Sequence, residues 1–232
     1  MNNILFVIPA RSGSKGIKNK NINLCANETL LRRSVKICKS LNFPSDIYVS
    51  TDSQEYLDHI NDLIDNIPIL RPDNISGDLI GDIEVLTHAF DSCEKYYKRK
   101  YKCIVMIQPT CPLRKKEHII KCIDAILFEK FDSAVTCQKV DKKYHPLKSL
   151  TVDESNKLIH YLDCKDEIIA RQQLKETFIR NGACYAITPR QLCEEKTFFK
   201  GNAKLILTEE LISIDNLQEL QLCEKILLDN NK

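Results

Sequence analysis

A chain of 232 residues with 43% apolar content is the size of one α/β domain, or of one domain with an embellishment, and it can bury a core. Its 34 Lys and Arg nearly cancel its 32 Asp and Glu, so no global basic field exists to hold a nucleic-acid backbone and any anion site must be local. No run reaches the roughly eighteen apolar residues that a membrane span needs, and Met1-Asn2-Asn3 does not begin a basic region followed by a long apolar one, so a cytoplasmic protein without nucleic-acid or membrane partners is expected.

The apolar run Ile4 to Ile8 reads as a buried strand that passes directly into a cationic loop holding Arg11, Lys15, Lys18 and Lys20 among small residues. The spacing is neither Gly-x4-Gly-Lys-Ser/Thr nor Gly-x-Gly-x-x-Gly, which argues against a P-loop ATPase or a dinucleotide fold. Taken alone, the loop equally reads as a solvated basic turn. Arg11 favours an anion, because an arginine just after a buried strand has a rigid base and a planar fork suited to phosphate oxygens.

Strand and helix patterns then alternate: a helix over Leu30 to Leu41, a strand over Ile47 to Ser50, a helix over Gln54 to Asp65, a strand over Ile67 to Leu70 and a helix over Asp82 to Lys98. A strand over Cys103 to Ile107, a helix over Lys116 to Phe128 and a strand over Ser133 to Cys137 follow. This rhythm predicts a mainly parallel sheet with helices on both faces. It breaks between about Gln138 and Arg180, a lysine-rich stretch with a weak hairpin signal around Leu150 to Leu158, which reads as an insertion. Strands over Cys184 to Ile187 and Ala203 to Leu207 and an amphipathic helix over Leu217 to Leu228 close the chain. The eleven cysteines are scattered and never spaced Cys-x-x-Cys, so most read as small buried hydrophobes with reduced thiols.

In an open α/β sheet, ligands sit beyond the carboxyl ends of the strands. Polar clusters fall there: Ser50-Thr51-Asp52-Ser53, Arg71-Pro72-Asp73 and Gln108 through Arg114. Thr51, Asp52 or Ser53 also suits the cap of the helix that begins at Gln54, Asp78 also reads as a cap, and Arg114 also reads as surface charge. Gln108 offers a donor and an acceptor to a sugar or base edge. Asp215, after Ser213-Ile214, is the best metal candidate, a single carboxylate that would share magnesium with phosphate oxygens; position alone equally allows it to cap the last helix.

In this order, the stretches Ile8 to Ile22, Ser50 to Ser53, Arg71-Pro72, Gln108 to Arg114, His145 to Lys148, Arg171 to Leu174, Asn181 to Tyr185, Phe198-Phe199 and Ile214-Asp215 resemble the CMP-acylneuraminate (CMP-sialic acid) synthetases, cytidylyltransferases that activate nine-carbon 2-keto sugar acids. The first block also resembles the synthetase for the eight-carbon acid KDO, but Gly13-Ser14-Lys15, Lys20-Asn21 and His145 to Lys148 fit the acylneuraminate pattern better. The resemblance implies a Rossmann-like nucleotidyltransferase domain over 1–137 and 181–232 with an inserted dimerisation and substrate arm over 138–180. It also implies a Mg2+-dependent homodimer that joins CMP from CTP to the anomeric hydroxyl of a nonulosonic acid. By matching position, Arg11, Ser14, Lys15 and Asn21 would hold the triphosphate, Lys20 with Arg11 would be catalytic, and Arg71 would approach the cytosine. Gln108, Arg171, Tyr185, Phe198 and Phe199 would contact the sugar acid, the phenylalanines shaping an acyl pocket, and Lys148 would reach the neighbouring subunit's site. Asp215 would hold the metal, although Ser213 stands where the family usually has a further aspartate. Lys175 and Asn27-Glu28 depart from the family's proline and Gly-Lys, and Asn181-Gly182-Ala183 points to the sialic or legionaminic branch rather than the pseudaminic one.

Overall fold

The computed structural model describes residues 4–65, 67–162, 172 and 174–229. Its main sheet has six strands: β1 (Ile4–Pro9), β4 (Ser45–Ser50), β5 (Cys103–Met106), β6 (Ser133–Lys139), β9 (Phe178–Ile187) and β10 (Ala203–Leu207). They lie in the order β10-β6-β9-β5-β1-β4, with β9 antiparallel to both neighbours and the other pairings parallel. Two small ribbons complete the strands, β2 (Leu24–Cys25) with β3 (Glu28–Thr29), and β7 (Leu150–Val152) with β8 (Leu158–His160).

The two-residue period of β1 sorts its side chains onto opposite faces. Ile4, Phe6 and Ile8 pack with Leu31 and Val35 of α1 (Leu30–Lys39) and with Ile119 and Ile123 of α4 (Lys116–Leu127). Leu5 and Val7 pack with Leu86 and Phe90 of α3 (Asp82–Tyr97). The sheet is therefore covered on both sides, as the alternation predicts. No described helix is long and apolar enough to cross a membrane. All described cysteines are free thiols, and all but Cys193 are buried.

Three elements depart from the sequence pattern, each for a local reason. The helix predicted over Gln54 to Asp65 stops as α2 (Gln54–Asp58), because Arg32 takes the His59 carbonyl at 2.7 Å while gripping Asp62, and the chain tightens into turns. Ile67 to Leu70 forms no strand: Pro68 lacks the N–H a ladder requires, and Ile69 N–H turns back onto the Ile67 carbonyl at 2.8 Å. The strand predicted to begin at Cys184 begins at Phe178, and Cys137, Gln138 and Lys139 pair with Arg180, Ile179 and Phe178. Gly182, at φ +71°, and a register shift between Val135 and Cys137 interrupt its alternation. The sheet thus reaches into both ends of the segment read as an arm. Between them stands the expected hairpin, its turn closed by Asp153 accepting from Ser155 N–H and Lys157 N–H at 2.8 and 2.9 Å. The final helix, α5, spans Leu217–Asp229.

Candidate active site

Parallel pairing brings the carboxyl ends of β4, β1 and β5 side by side, and the loops leaving them build one cleft. The loop after β1 is braced by Asp52, whose carboxylate accepts from Ser12 N–H at 2.8 Å and Ser12 Oγ–H at 3.0 Å. Asp52 therefore ties two strand ends together and is not the cap of α2; that cap is Ser53, which accepts from Tyr56 N–H. Asn21 is buried and donates to the Arg11 carbonyl at 3.2 Å. Asn19 adopts a left-handed conformation, φ 54°, and starts the short turn that aims Lys20 across the cleft.

The opposite wall comes from the segment before α5. Ile214 N–H donates to the Thr110 carbonyl at 2.8 Å, and the Thr110 and Ser213 hydroxyls lie 3.4 Å apart. Lys20 donates to the Ile214 carbonyl at 2.8 Å and to Asp215 Oδ1 at 3.0 Å. Lys20 and Asp215, 195 positions apart, thus share one site. Gly16 permits this approach, since a Cβ there would stand 2.4 Å from the Asp215 carbonyl oxygen. Asp215 does not cap α5. Asn216 does, accepting from Glu219 N–H at 3.0 Å, while the Glu219 carboxylate accepts from the Asp215 and Asn216 amides. The Asp215 side chain stays 77% exposed, that of Lys20 only 15%.

The roof carries Asp78, which bridges Arg11 at 2.6 Å and Lys15 at 2.5 Å. Bonds from Lys15 first, then from Arg11, hold its carboxyl below the usual range. Asp78 is therefore an anion seated on loop cations, not a helix cap. Arg71 is buried and donates to the Ser50 carbonyl at 2.5 Å, and burial pushes its guanidinium below the ordinary value. Arg11, Ser14, Lys20, Asn21, Arg71, Gln108 and Asp215 all line this cleft, about 380 Å3 in volume. Lys15 sits outside the lining, exposed, and reaches the site through Asp78.

Gln108 is placed by two contacts. Its carbonyl accepts from Arg114, and its side chain lies where a Cβ on Gly182 would come within 2.4 Å of Oε1. Arg114 is not surface charge: it is buried and also donates to the Ala183 carbonyl at 2.9 Å and Ser34 Oγ at 3.1 Å.

Beyond Ile80 and Asp82 the cleft adjoins a second cavity, about 340 Å3, lined by Phe198, Phe199, Thr197, Lys196 and Arg180. Phe198 is buried and Phe199 is 60% exposed. Tyr185 is buried, lines neither cavity, accepts from Gly182 N–H at 3.0 Å, and supports Phe198 edge-on at 5.6 Å. Lys148 is exposed on the arm and lines neither cavity; next to it His145 Nδ1 accepts from Leu147 N–H. Arg171 lies outside the described residues. Arg180 is a cavity residue for which the sequence analysis gives no reading, and Asp78 reads there only as a cap. For Arg180 the available signal was an arginine beside the Asn181-Gly182 break in a strand.

Among the described residues, no cluster of three or more His, Cys, Asp and Glu side chains forms a metal cage. The hard oxygens near Lys20, namely Asp215 with the Ser213 and Thr110 hydroxyls, suit a divalent ion that brings most of its own ligands as phosphate and water.

A sequence model of a family described as cytidylyltransferase matches residues 5–207. The chain is 28% identical over 231 residues to the CMP-N,N'-diacetyllegionaminic acid synthase of Legionella pneumophila, covering 97% of this chain and 96% of that one. It is 25% identical over 232 residues to the N-acylneuraminate cytidylyltransferase of Escherichia coli, covering 99% of this chain but 53% of that longer protein. In fold it is similar to a CMP:2-keto-3-deoxy-manno-octonic acid synthetase solved with CTP, at a TM-score of 0.72 and 11% identity, covering 98% of this chain and 99% of the other.

Proposed function

The chain belongs to the cytidylyltransferase family, and from that premise we propose that it transfers CMP from CTP to the anomeric hydroxyl of a nine-carbon 2-keto sugar acid of the N-acylneuraminate or legionaminate type. The observation that carries the reading is Lys20 and Asp215 facing each other, 3.0 Å apart, in a cleft floored by the phosphate-suited loop. The names of the relatives support the acceptor class.

In this reading Arg11, Ser14 and Asn21 hold the triphosphate and Arg71 lies toward the base. Gln108, on the cleft wall, meets the sugar acid. The anomeric oxygen bonds to the α-phosphorus, the bond to the pyrophosphate oxygen breaks, and the hydroxyl proton passes to water in the open cleft. Such transfers need little covalent help from the protein, only reactants held in line and charge stabilised on the phosphoryl oxygens. Lys20 would supply that charge, a role supported by an ammonium already oriented by the Ile214 carbonyl. A magnesium ion held by Asp215 and phosphate oxygens would neutralise further charge there. Incubating the protein with CTP, magnesium and N-acetylneuraminic or N,N'-diacetyllegionaminic acid should release pyrophosphate; no release with any nonulosonic acid rejects the reading.

Asp78 occupies Arg11 and Lys15 where the triphosphate would bind, so it must give them up. Ion pairs in contact with solvent hold their partners only weakly, and Asp78→Asn is expected to tighten CTP binding about two- to tenfold by calorimetry. Weaker binding would instead make Asp78 part of the bound-state site.

The arm is proposed to pair two chains, bringing Lys148 toward a neighbour's site. Leu150, Val152, Leu158 and Ile159 on its hairpin are exposed, and a second copy would cover them. Sedimentation equilibrium should return twice the chain mass; a monomer at micromolar concentration contradicts the pairing. The reduced thiols support a cytosolic setting.

A further inference from the structure

We propose that Arg180 reads the acylamido group of the sugar acid, an inference that rests on the acceptor proposed above. Arg180 leaves β9 with its guanidinium carbon 5.3 Å from the Phe199 ring centroid and 5.9 Å from that of Tyr185. It is exposed, and among the described residues its side chain makes no hydrogen bond or ion pair, the charge acting with it being the Asp82 carboxylate. Two aromatic faces therefore hold a cation whose N–H fork stays open toward the second cavity.

The wall opposite is built to stay still. Residues Gln191–Glu195 form a π-turn, a feature frequent at functional sites, and Lys196 ends it in a left-handed conformation at φ 51°. The buried Gln191 amide donates to the Thr197 carbonyl at 2.9 Å and to that of Lys200, and Ser133 Oγ donates to the Phe198 carbonyl. Phe198 and Phe199 are thus fixed while Phe199 stays open to a ligand.

The carboxylate of a 2-keto acid is bonded to its anomeric carbon, so it must remain with the reacting oxygen in the first cleft, near Lys20 and Gln108. The cavity past Ile80 and Asp82 receives the far part of the sugar. Asp82, at that shared wall, opposes a second anion. A neutral amide fits: its carbonyl accepts from Arg180 and its methyl lies on Phe199.

Steady-state kinetics of the wild type, Arg180→Ala and Arg180→Lys test this with N-acetylneuraminic acid, N,N'-diacetyllegionaminic acid and the 5-hydroxy analogue of N-acetylneuraminic acid, which lacks the acylamido group. Arg180→Ala should raise KM for the acylated acids about ten- to 100-fold, the range of a lost charge-assisted hydrogen bond. It should leave KM for CTP unchanged and alter KM for the 5-hydroxy analogue by less than about threefold, with Arg180→Lys intermediate. An equal loss on all three sugars, a rise in KM for CTP, or no change overturns the assignment. A wild type that uses none of the sugars sinks the acceptor reading and the assignment together; an active wild type matched by Arg180→Ala sinks the assignment alone.

Discussion

Lys20→Ala is expected to lower kcat for pyrophosphate release by about two to three orders of magnitude, the loss typical of one preorganised charge-stabilising donor. The expectation rests on how little freedom the ammonium has. It is fastened at 2.8 Å to the Ile214 carbonyl and at 3.0 Å to Asp215, with its side chain mostly sheltered from water, so its charge needs no reorganisation when negative charge builds on the phosphoryl oxygens. Lys18, two residues earlier, is exposed, and Lys18→Ala is the control that should leave kcat within about twofold, as for most surface substitutions. Single-turnover measurement separates chemistry from product release. A Lys20→Ala protein with unchanged single-turnover rate would remove Lys20 from the mechanism, and an effect confined to KM for CTP would make it a ground-state binding residue.

The parts of this site legible in the sequence are those where a local pattern coincides with a strand end. Ile4 to Ile8 announces a strand by its apolar run, and the cations that follow must then stand at its carboxyl edge, so Arg11 and Lys20 could be placed. Asp215 could be picked out by its place between a strand and the last helix, but position left it equally a cap, because nothing in spacing says that residues 195 apart meet; the close approach at Gly16 brings them together in three dimensions. Tertiary contacts hid the rest. Arg32 withdraws the His59 carbonyl and shortens α2. Asn181 and Gly182 break the alternation of β9, so a strand inserted antiparallel between β5 and β6 looked irregular and Arg180 went unassigned. Asp52 and Asp78 suit caps by sequence, and only their partners, Ser12 for one and Arg11 with Lys15 for the other, reveal what they hold.

Arg114 is where composition misleads most, and Arg114→Ala is expected to cost about 3–5 kcal/mol of stability, in the range for breaking buried charged networks. Its guanidinium is buried and, among the described residues, has no carboxylate partner. Burial pushes it below the ordinary arginine value, yet an arginine stays charged throughout the accessible pH range. What offsets its desolvation is a set of oriented acceptors: the Ala183 carbonyl at 2.9 Å, Ser34 Oγ at 3.1 Å and the Gln108 carbonyl. Alanine relieves the buried charge but leaves a cavity and two backbone carbonyls without their donor, at about 1–3 kcal/mol for each unsatisfied group; the second effect wins because the neighbouring β9 and α1 backbones cannot open to admit water without unpairing the sheet. For a chain of this length the melting temperature should fall by about 10 °C. Arg114→Lys, which keeps the charge but not the fork, should fall between. Because the same side chain holds the Gln108 carbonyl, the residual folded enzyme should also show a raised KM for the sugar acid. Denaturant unfolding of Arg114→Ala within about 0.5 kcal/mol of wild type is the result a solvated surface arginine would give, and it would overturn the role assigned to this residue in seating Gln108.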